Sequence, residues 1–111
     1  MLARKYRATK ILIGETIQKG KTIQGDFVYA KYLKNQVNKP FFAIVVAKKV
    51  EKTSVGRHHI KRLVSQCIED ILLKPAVQPT KTIVFFAKKT EKKPVYSILK
   101  KDIAKIADQI Y

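Results

Sequence analysis

One run of apolar residues near the middle of the chain repeats with the period of an α-helix, and this repeat constrains the fold more than any other stretch. The apolar positions follow the i, i+3, i+4 and i+7 spacing of a single helical face and are Ile60, Leu63, Val64, Cys67, Ile68, Ile71 and Leu72. Thr53 or Ser54 can cap the start of this helix, and Pro75 and Pro79 bound its end. Because such a face has to be buried against another layer, we expect a sheet beneath it.

The patterns on either side of this helix predict a small sheet and two further helices. Runs of β-branched and aromatic residues predict strands at 22–24, 26–33, 41–48 and 82–87, and helical spacing predicts helices at 10–19 and 96–110. This order of elements is typical of a two-layer α+β sandwich. With 111 residues, the chain is expected to form a single domain over residues 1–111, in which residues 1–9 are a basic, mobile segment.

The charge balance points to a polyanionic partner. Lysine and arginine number 24 and aspartate and glutamate 8, which gives a net charge of +16. No long amphipathic stretch suits a membrane surface, and the longest apolar run, at 41–47, is far shorter than the roughly 20 residues that cross a bilayer. Cys67 is the single cysteine, so no disulfide framework is expected. We therefore expect a cytoplasmic protein without a membrane partner.

The predicted middle helix carries its charges at the ends that its dipole disfavours. Arg57, Lys61 and Arg62 lie near the positive end of the helix. Glu69 and Asp70 lie near the negative end, and each such placement costs roughly 0.3–1 kcal/mol at a free surface. A bound phosphate would offset this cost, because helix N-terminal N–H groups and basic side chains both attract anions. We therefore predict a nucleic-acid-binding surface made of Lys48, Lys49, Lys52, Arg57, His58, Lys61 and Arg62.

The alternative for these charges is a solvated helix face that only keeps the protein soluble. With the apolar face on the sheet, the side chains expected to point outward are His58, Lys61, Arg62 and Ser65. His58 and His59 point about 100° apart, so the two rings cannot easily chelate one ion. The chain also lacks paired carboxylates at a recognisable spacing, a phosphate-cradling Gly-rich loop and a nucleophile–base signature. We expect neither catalytic residues nor metal ligands, and Cys67 is expected to be a core residue.

Several segments, in their order and spacing, resemble the bacterial ribonuclease P protein component. The stretch FFAIVVAKKVEKTSVGRHHIKRLV resembles the family's apolar strand ending in Ser-Lys-Lys-Val, followed by a helix that opens with Arg-Asn-x-x-Lys-Arg. The matching residues here are Ala47-Lys48-Lys49-Val50 and Arg57-His58-His59-Ile60-Lys61-Arg62. MLARKYR resembles the family's N-terminus and places Arg7 on its arginine. QKGKTIQGDFVYAKYLKN resembles the Lys-Gly-Lys turn with the strand after it, and KTIVFFAKK resembles the last strand.

The resemblance implies a sandwich of order αβββαβα, whose small mixed sheet contains a left-handed βαβ crossover. It also implies that the basic helix contacts the ribonuclease P RNA, and that a cleft between the sheet and the first helix takes the 5′ leader of precursor tRNA. The RNA subunit would cleave with Mg²⁺ and the protein would assist it, with no obligate protein partner. The residues that the resemblance assigns to the leader cleft, or that neighbour it, are Arg7, Lys10, Ile13, Ile17, Phe27 and Tyr29.

Two departures from the family pattern bear on these expectations. His58 stands in place of the asparagine of the helix motif, which keeps hydrogen-bonding capacity but changes its geometry. Ile13 and Ile17 stand in place of two phenylalanines, and isoleucine cannot stack on a base as an aromatic ring can. Aromatic contact would then come from strand residues, for which ordinary sheet packing is the alternative, namely Phe27, Tyr29 or Tyr32.

Two other functions stay open from the sequence. A small ribosomal or structural RNA-binding protein would need the same charge, but it would not prefer precursor tRNA over mature tRNA. A stand-alone nuclease would cleave RNA without an RNA subunit, and its activity would depend on His58 and His59.

Overall fold

A computed structural model of the protein describes residues 4–35, 39–73, 80–89 and 95–110. In that part of the chain there are three α-helices, α1 (Lys10–Lys19), α2 (Ser54–Ile68) and α3 (Tyr96–Ile110), and four strands, β1 (Lys21–Gln24), β2 (Val28–Lys34), β3 (Phe41–Val45) and β4 (Lys81–Ala87). A 3₁₀ turn at Arg4–Tyr6 precedes them, and a π-helical turn at Glu69–Leu73 continues α2. The predicted order αβββαβα is confirmed.

The four strands form one mixed sheet in the order β1-β2-β4-β3. β2 pairs antiparallel with β1 and with β4, whereas β3 runs parallel to β4. Parallel neighbours need a long crossover, and α2 supplies it between β3 and β4. The last strand in the sequence therefore lies in the interior of the sheet, and the predicted α+β class is confirmed. The left-handed sense of the β3–α2–β4 crossover stays a prediction.

α2 and α3 pack together on one face of the sheet and enclose the hydrophobic core. The sheet side chains in this core that are at most 1% exposed are Val28, Ala30, Phe42, Ile83 and Phe85. The helical side chains include Ile60, Val64, Cys67, Ile68, Leu72, Leu99, Ile103 and Ile106. The apolar face predicted for the middle helix is thus the buried one. Cys67 is fully buried as predicted, and this burial raises the pKa of its thiol to about 11.

α1 lies across the opposite face of the sheet and contacts one end of it. Thr16 of α1 is 1% exposed and lines the same cavity as Leu33 and Thr82, which are cross-strand partners in β2 and β4. Tyr29 of β2 and Phe86 of β4 form another pair on the same face, four residues away from Leu33 and Thr82 on their respective strands. This second pair belongs to the candidate site described below.

Two strands are shorter than predicted because of contacts that the local sequence does not reveal. β2 begins at Val28, since the backbone N–H groups of the two residues before it donate to the Asp102 carboxylate of α3 at 2.8 and 3.0 Å. β3 ends at residue 45 rather than 48, since residues 47–50 form a turn in which the Val50 N–H donates to the Ala47 carbonyl oxygen at 3.0 Å.

The N-terminal segment lies along the outer edge of β3. The Ala8 N–H donates to the Phe42 carbonyl oxygen at 2.9 Å, and Arg7 forms a parallel bridge with the same residue. Residues 1–3 lie outside the described part of the chain, as do Pro75 and Pro79, which were predicted to bound α2. The mobility of residues 1–9 stays a prediction. None of the helices in the described ranges has the length and hydropathy that a membrane span requires.

Candidate nucleic-acid interface

α2 begins with a cap in which the protein supplies its own negative charge. The Thr53 hydroxyl accepts the Gly56 N–H at 3.0 Å, so Thr53 is the cap. The Glu51 carboxylate in turn accepts the N–H and the hydroxyl of Thr53, both at 3.2 Å. A Cβ at residue 56 would lie 2.5 Å from Glu51 side-chain atoms, so glycine lets this carboxylate approach the first turn. Glu51 therefore offsets part of the dipole cost that the basic residues create.

Arg57 reaches back from the first turn of α2 and holds the loop before the helix. Its Nη1 donates to the carbonyl oxygens of Glu51 and Lys52 at 3.1 and 3.0 Å, and its Nη2 donates to Ser54 Oγ at 3.3 Å. Arg57 as a whole residue is half-buried. Arg57 thus fixes the backbone that carries Lys52, and only its remaining N–H groups could meet a phosphate. Its predicted role in RNA binding stays a prediction.

The other predicted basic side chains differ in exposure. The exposed ones are Lys48, Lys49, Lys52, His58 and Arg62, whereas Lys61 is half-buried. The prediction that Ser65 points outward is wrong, because this residue is 1% exposed and its hydroxyl donates to the Lys61 carbonyl oxygen at 2.7 Å. His59 and Gln66 are exposed instead, so the solvent face of α2 runs through positions 58, 59, 62 and 66.

A second feature is an open cleft with an aromatic floor on the face of the sheet that also contacts α1. The rings of Tyr29 and Phe86 stack with centroids 4.8 Å apart and planes 7° from parallel. The cleft has a volume of about 540 Å³, and its lining residues are Tyr29, Val45, Ala47, Lys49, Val50, Phe86, Ala87, Lys88 and Lys89. A stacked aromatic pair bordered by three lysines is suited to a single-stranded nucleic acid, whose bases stack and whose phosphates are anionic.

The cleft is lined by residues that were predicted for two separate sites and by others that were not predicted for either. Tyr29 was predicted for the leader cleft and Lys49 for the RNA-binding surface, yet both line this one cleft. Phe86, Lys88 and Lys89 were not predicted. Their signal lies in the segment KTIVFFAKK, where alternation puts Phe86 on the face of Tyr29 once β2 and β4 are paired in register.

The remaining residues predicted for the leader lie elsewhere. Phe27 packs against the hydrophobic core. On α1, Lys10 is exposed, Ile13 is half-buried and Ile17 is 41% exposed. These residues are not among the described side chains that line the cleft, so a leader role for them would require a path that extends across α1.

Arg7 takes part in a smaller cavity beside the outer edge of β3. This cavity has a volume of about 270 Å³ and is lined by Arg7, Ala8, Phe42, Ala43, Ile44, Lys61 and Ser65. The structure thereby brings Arg7, predicted for the leader, next to Lys61, predicted for the RNA surface. Two cations at one cavity provide a further place where a phosphate could be held.

Acidic and metal-binding side chains in the described part of the chain do not gather in the same way. Within the described ranges, no three side chains among His, Cys, Asp and Glu come together in a group that could hold a metal ion. His58 and His59 lie on the exposed face of α2.

Comparison with known proteins gives a consistent result for family and fold. The family model described as Ribonuclease P matches residues 4–111. Staphylococcus aureus RNase P protein, in its structure at 2.0 Å, is 20% identical with a TM-score of 0.78, over 96% of this chain and 98% of that chain. Thermotoga maritima RNase P protein is 18% identical with a TM-score of 0.78, over 95% of this chain and 97% of that chain. No curated protein sequence matches this chain.

Proposed function

This chain belongs to the ribonuclease P protein family, and on that premise we propose that it is the protein subunit of a ribonucleoprotein endoribonuclease that matures the 5′ end of tRNA. The RNA subunit would perform the cleavage, and the protein would bind that RNA together with the leader of the precursor. The observation that carries the proposal is the stacked pair of Tyr29 and Phe86 in a cleft bordered by lysines.

The start of α2 supports the contact with the RNA subunit. Lys48, Lys52 and Arg62 are exposed before and within the start of α2, beside the loop that Arg57 fixes, so their charges are presented by an ordered backbone. His58 is exposed beside them. Lysine and arginine that neutralise phosphates release counterions, which makes the affinity strongly dependent on salt. A structured RNA with closely spaced phosphates is a suitable partner for such a surface.

The aromatic cleft supports the contact with the leader. A single strand can place a base against the Tyr29–Phe86 pair while its phosphates approach Lys49, Lys88 and Lys89. Stacking of this kind tolerates any base, as a subunit that serves many different leaders would require. The two surfaces meet at Lys49, which lines the cleft and precedes α2 in the same basic run. One protein could therefore contact the leader and the RNA subunit at the same time.

Mg²⁺ would be bound by the RNA subunit. Mg²⁺ prefers carboxylate and phosphate oxygens, and the described residues of this chain do not gather carboxylates into a site for it. When bound, the ion would supply charge stabilisation for phosphodiester hydrolysis. The side chains of the protein would bind and orient the substrate, and a role in tRNA maturation would place the protein in the cytoplasm.

The test is cleavage of a precursor tRNA by a bacterial ribonuclease P RNA, preferably the cognate one, at limiting Mg²⁺ with and without the protein. We expect the protein to increase cleavage by the RNA strongly and to cleave nothing when the RNA is left out. The variant Lys52→Ala/Arg62→Ala should lose this increase. Equal affinity for precursor and mature tRNA, without activation of the cognate RNA, would instead indicate a structural RNA-binding protein. Cleavage by the protein alone that His58→Ala/His59→Ala abolishes would indicate a stand-alone nuclease.

A further inference from the structure

A buried carboxylate of α3 holds the turn between β1 and β2. Asp102 is 3% exposed and accepts three backbone N–H groups, from Asp26 at 2.8 Å and from Phe27 and Val28 at 3.0 Å each. A Cβ at Gly25 would lie 2.6 Å from both carboxylate oxygens, so the turn rests directly on the carboxylate. A buried charge is unfavourable unless such bonds compensate it, and these three satisfy both of its oxygens.

The other side of the same turn is held by a lysine of the aromatic cleft. The Lys88 ammonium donates to the Gly25 carbonyl oxygen at 2.7 Å, and the Lys88 N–H donates to the Phe27 carbonyl oxygen at 2.8 Å. In a standard turn, the carbonyl of the first residue pairs with the N–H of the fourth. Here these two groups, the Gly25 carbonyl and the Val28 N–H, are bound by Lys88 and by Asp102.

The turn therefore connects α3 with the cleft. While it is bound to Gly25, the Lys88 ammonium lies 5.9 Å from the centroid of the Tyr29 ring, and both side chains line the cleft. A lysine side chain is long and can adopt many rotamers. A fixed hydrogen-bond acceptor restricts these rotamers and keeps the ammonium beside one ring. The Gly25 carbonyl is that acceptor, and it belongs to the turn whose next three N–H groups are bound by Asp102. The Gly25 N–H also donates to the Val28 carbonyl oxygen at 2.9 Å, which ties Gly25 to the same turn.

We propose that Asp102 is a positioning residue for the leader cleft: by fixing the β1–β2 turn, it sets the carbonyl that holds the Lys88 ammonium beside Tyr29. The inference rests on the proposed function, because it concerns how the cleft recognises a leader. Asp102 itself does not touch the RNA. Its effect reaches the substrate through Gly25 and Lys88.

The test compares Asp102→Asn with Asp108→Asn, a matched loss of one negative charge at an exposed position of the same helix. An asparagine places an amide donor against at least one of the three N–H groups, so the turn should shift. The measurement is the ratio of holoenzyme affinities for a precursor tRNA and for the same tRNA without its leader. We expect Asp102→Asn to reduce this ratio about fivefold and Asp108→Asn to leave it unchanged. Affinity for the leaderless tRNA should stay the same in both variants, which general damage to the fold would not produce.

A double variant distinguishes positioning from an independent effect. If Asp102 acts through Lys88, then Lys88→Met should reduce the ratio by a similar factor, and Asp102→Asn/Lys88→Met should reduce it no further. Full additivity of the two changes would overturn the proposal. Should Asp102→Asn unfold below the assay temperature, Gly25→Ala moves the same turn while it retains the carboxylate, and the same loss is expected.

The wild-type ratio tests the leader site itself, whereas the effect of Asp102→Asn on that ratio tests the role of Asp102. A wild-type ratio of one would overturn the leader site and the inference with it. A wild-type ratio above one that Asp102→Asn leaves intact would overturn the inference alone.

Discussion

The guanidinium of Arg57 lies 3.0 Å from the carbonyl oxygen of Lys52, and this bond joins the two kinds of basic residue at the start of α2. The Arg57 guanidinium holds the loop before α2 through hydrogen bonds, and the Lys52 side chain is presented to solvent by that loop. The basic cluster therefore contains residues with structural roles beside those available to a ligand.

This division predicts different effects for two arginines of α2. Arg57→Ala should lower the free energy of unfolding by about 1.5–3 kcal/mol, because a charged donor to two carbonyl groups is lost. Arg62→Ala, at an exposed position, should leave stability nearly unchanged and reduce the salt dependence of RNA affinity by about one unit of slope. Urea unfolding and RNA titrations over a range of salt would measure both effects. Equal stability of the two variants would contradict the role given to Arg57.

Glu51→Gln should separate helix stability from RNA affinity. Loss of the carboxylate from the helix N-terminus should reduce stability by roughly 0.3–1 kcal/mol, while removal of a negative charge from the basic surface should increase RNA affinity. Glu69→Gln, at the other end of α2, changes the net charge equally and should not reduce stability through the helix dipole. Thermal unfolding and RNA binding at low salt would compare the two. A similar loss of stability in both variants would argue against a charge effect at the cap.

Tyr29→Leu should weaken binding of the leader specifically. Stacking on an aromatic residue contributes about 1–3 kcal/mol per base, so the affinity for a precursor tRNA should fall while that for leaderless tRNA is retained. Tyr32→Leu is the control, since Tyr32 lies on the opposite face of β2, packs against the core and has the Lys81 ammonium 5.2 Å from its ring centroid. That change should affect unfolding rather than leader binding. If both variants lose leader affinity alike, the assignment of the cleft is wrong.

The contact between α3 and the π-helical turn at Glu69–Leu73 predicts a loss of stability at alkaline pH. The Tyr96 hydroxyl donates to the Asp70 carboxylate, and this hydrogen bond is the main reason that the pKa of Tyr96 is raised to about 12. The protonated phenol is thus favoured in the folded state, so its contribution is complete below the ordinary tyrosine pKa of about 10 and is lost as pH rises towards 12. The difference in Tm between the wild type and Tyr96→Phe should shrink between pH 10 and 12. A constant difference over this range would count against the contact.

Most of the fold could be predicted because its elements have strong local patterns. Helix α3 was predicted at the bounds observed, Tyr96–Ile110, since its apolar side repeats without interruption. The start of β2 could not be predicted, because it depends on Asp102, which is 76 residues from Asp26 in the sequence. Ser65 was misplaced because a serine buried beside β3 satisfies its own hydroxyl within the helix, and the sequence does not show this.

The candidate site was harder to predict from the sequence than the fold, for a similar reason. The basic residues before and within α2 lie close together in the sequence, between residues 48 and 62, so they could be recognised directly. The aromatic cleft depends on the register that pairs Tyr29 with Phe86, two residues on strands far apart in the chain. The hydrogen bonds of Arg57 to the loop before α2 depend on the conformation of that loop, which charge patterning does not predict.

The pairing of the N-terminal segment with β3 also bears on self-association. β3 is the outermost strand on its side of the sheet, and an open strand edge is a template on which a second copy of a protein can add. Ala8 occupies this edge at Phe42, and Arg7 places a cation beside it. The segment that contains Arg7, a residue predicted to serve the substrate, therefore also covers the open edge of β3 at Phe42, where another strand could otherwise pair.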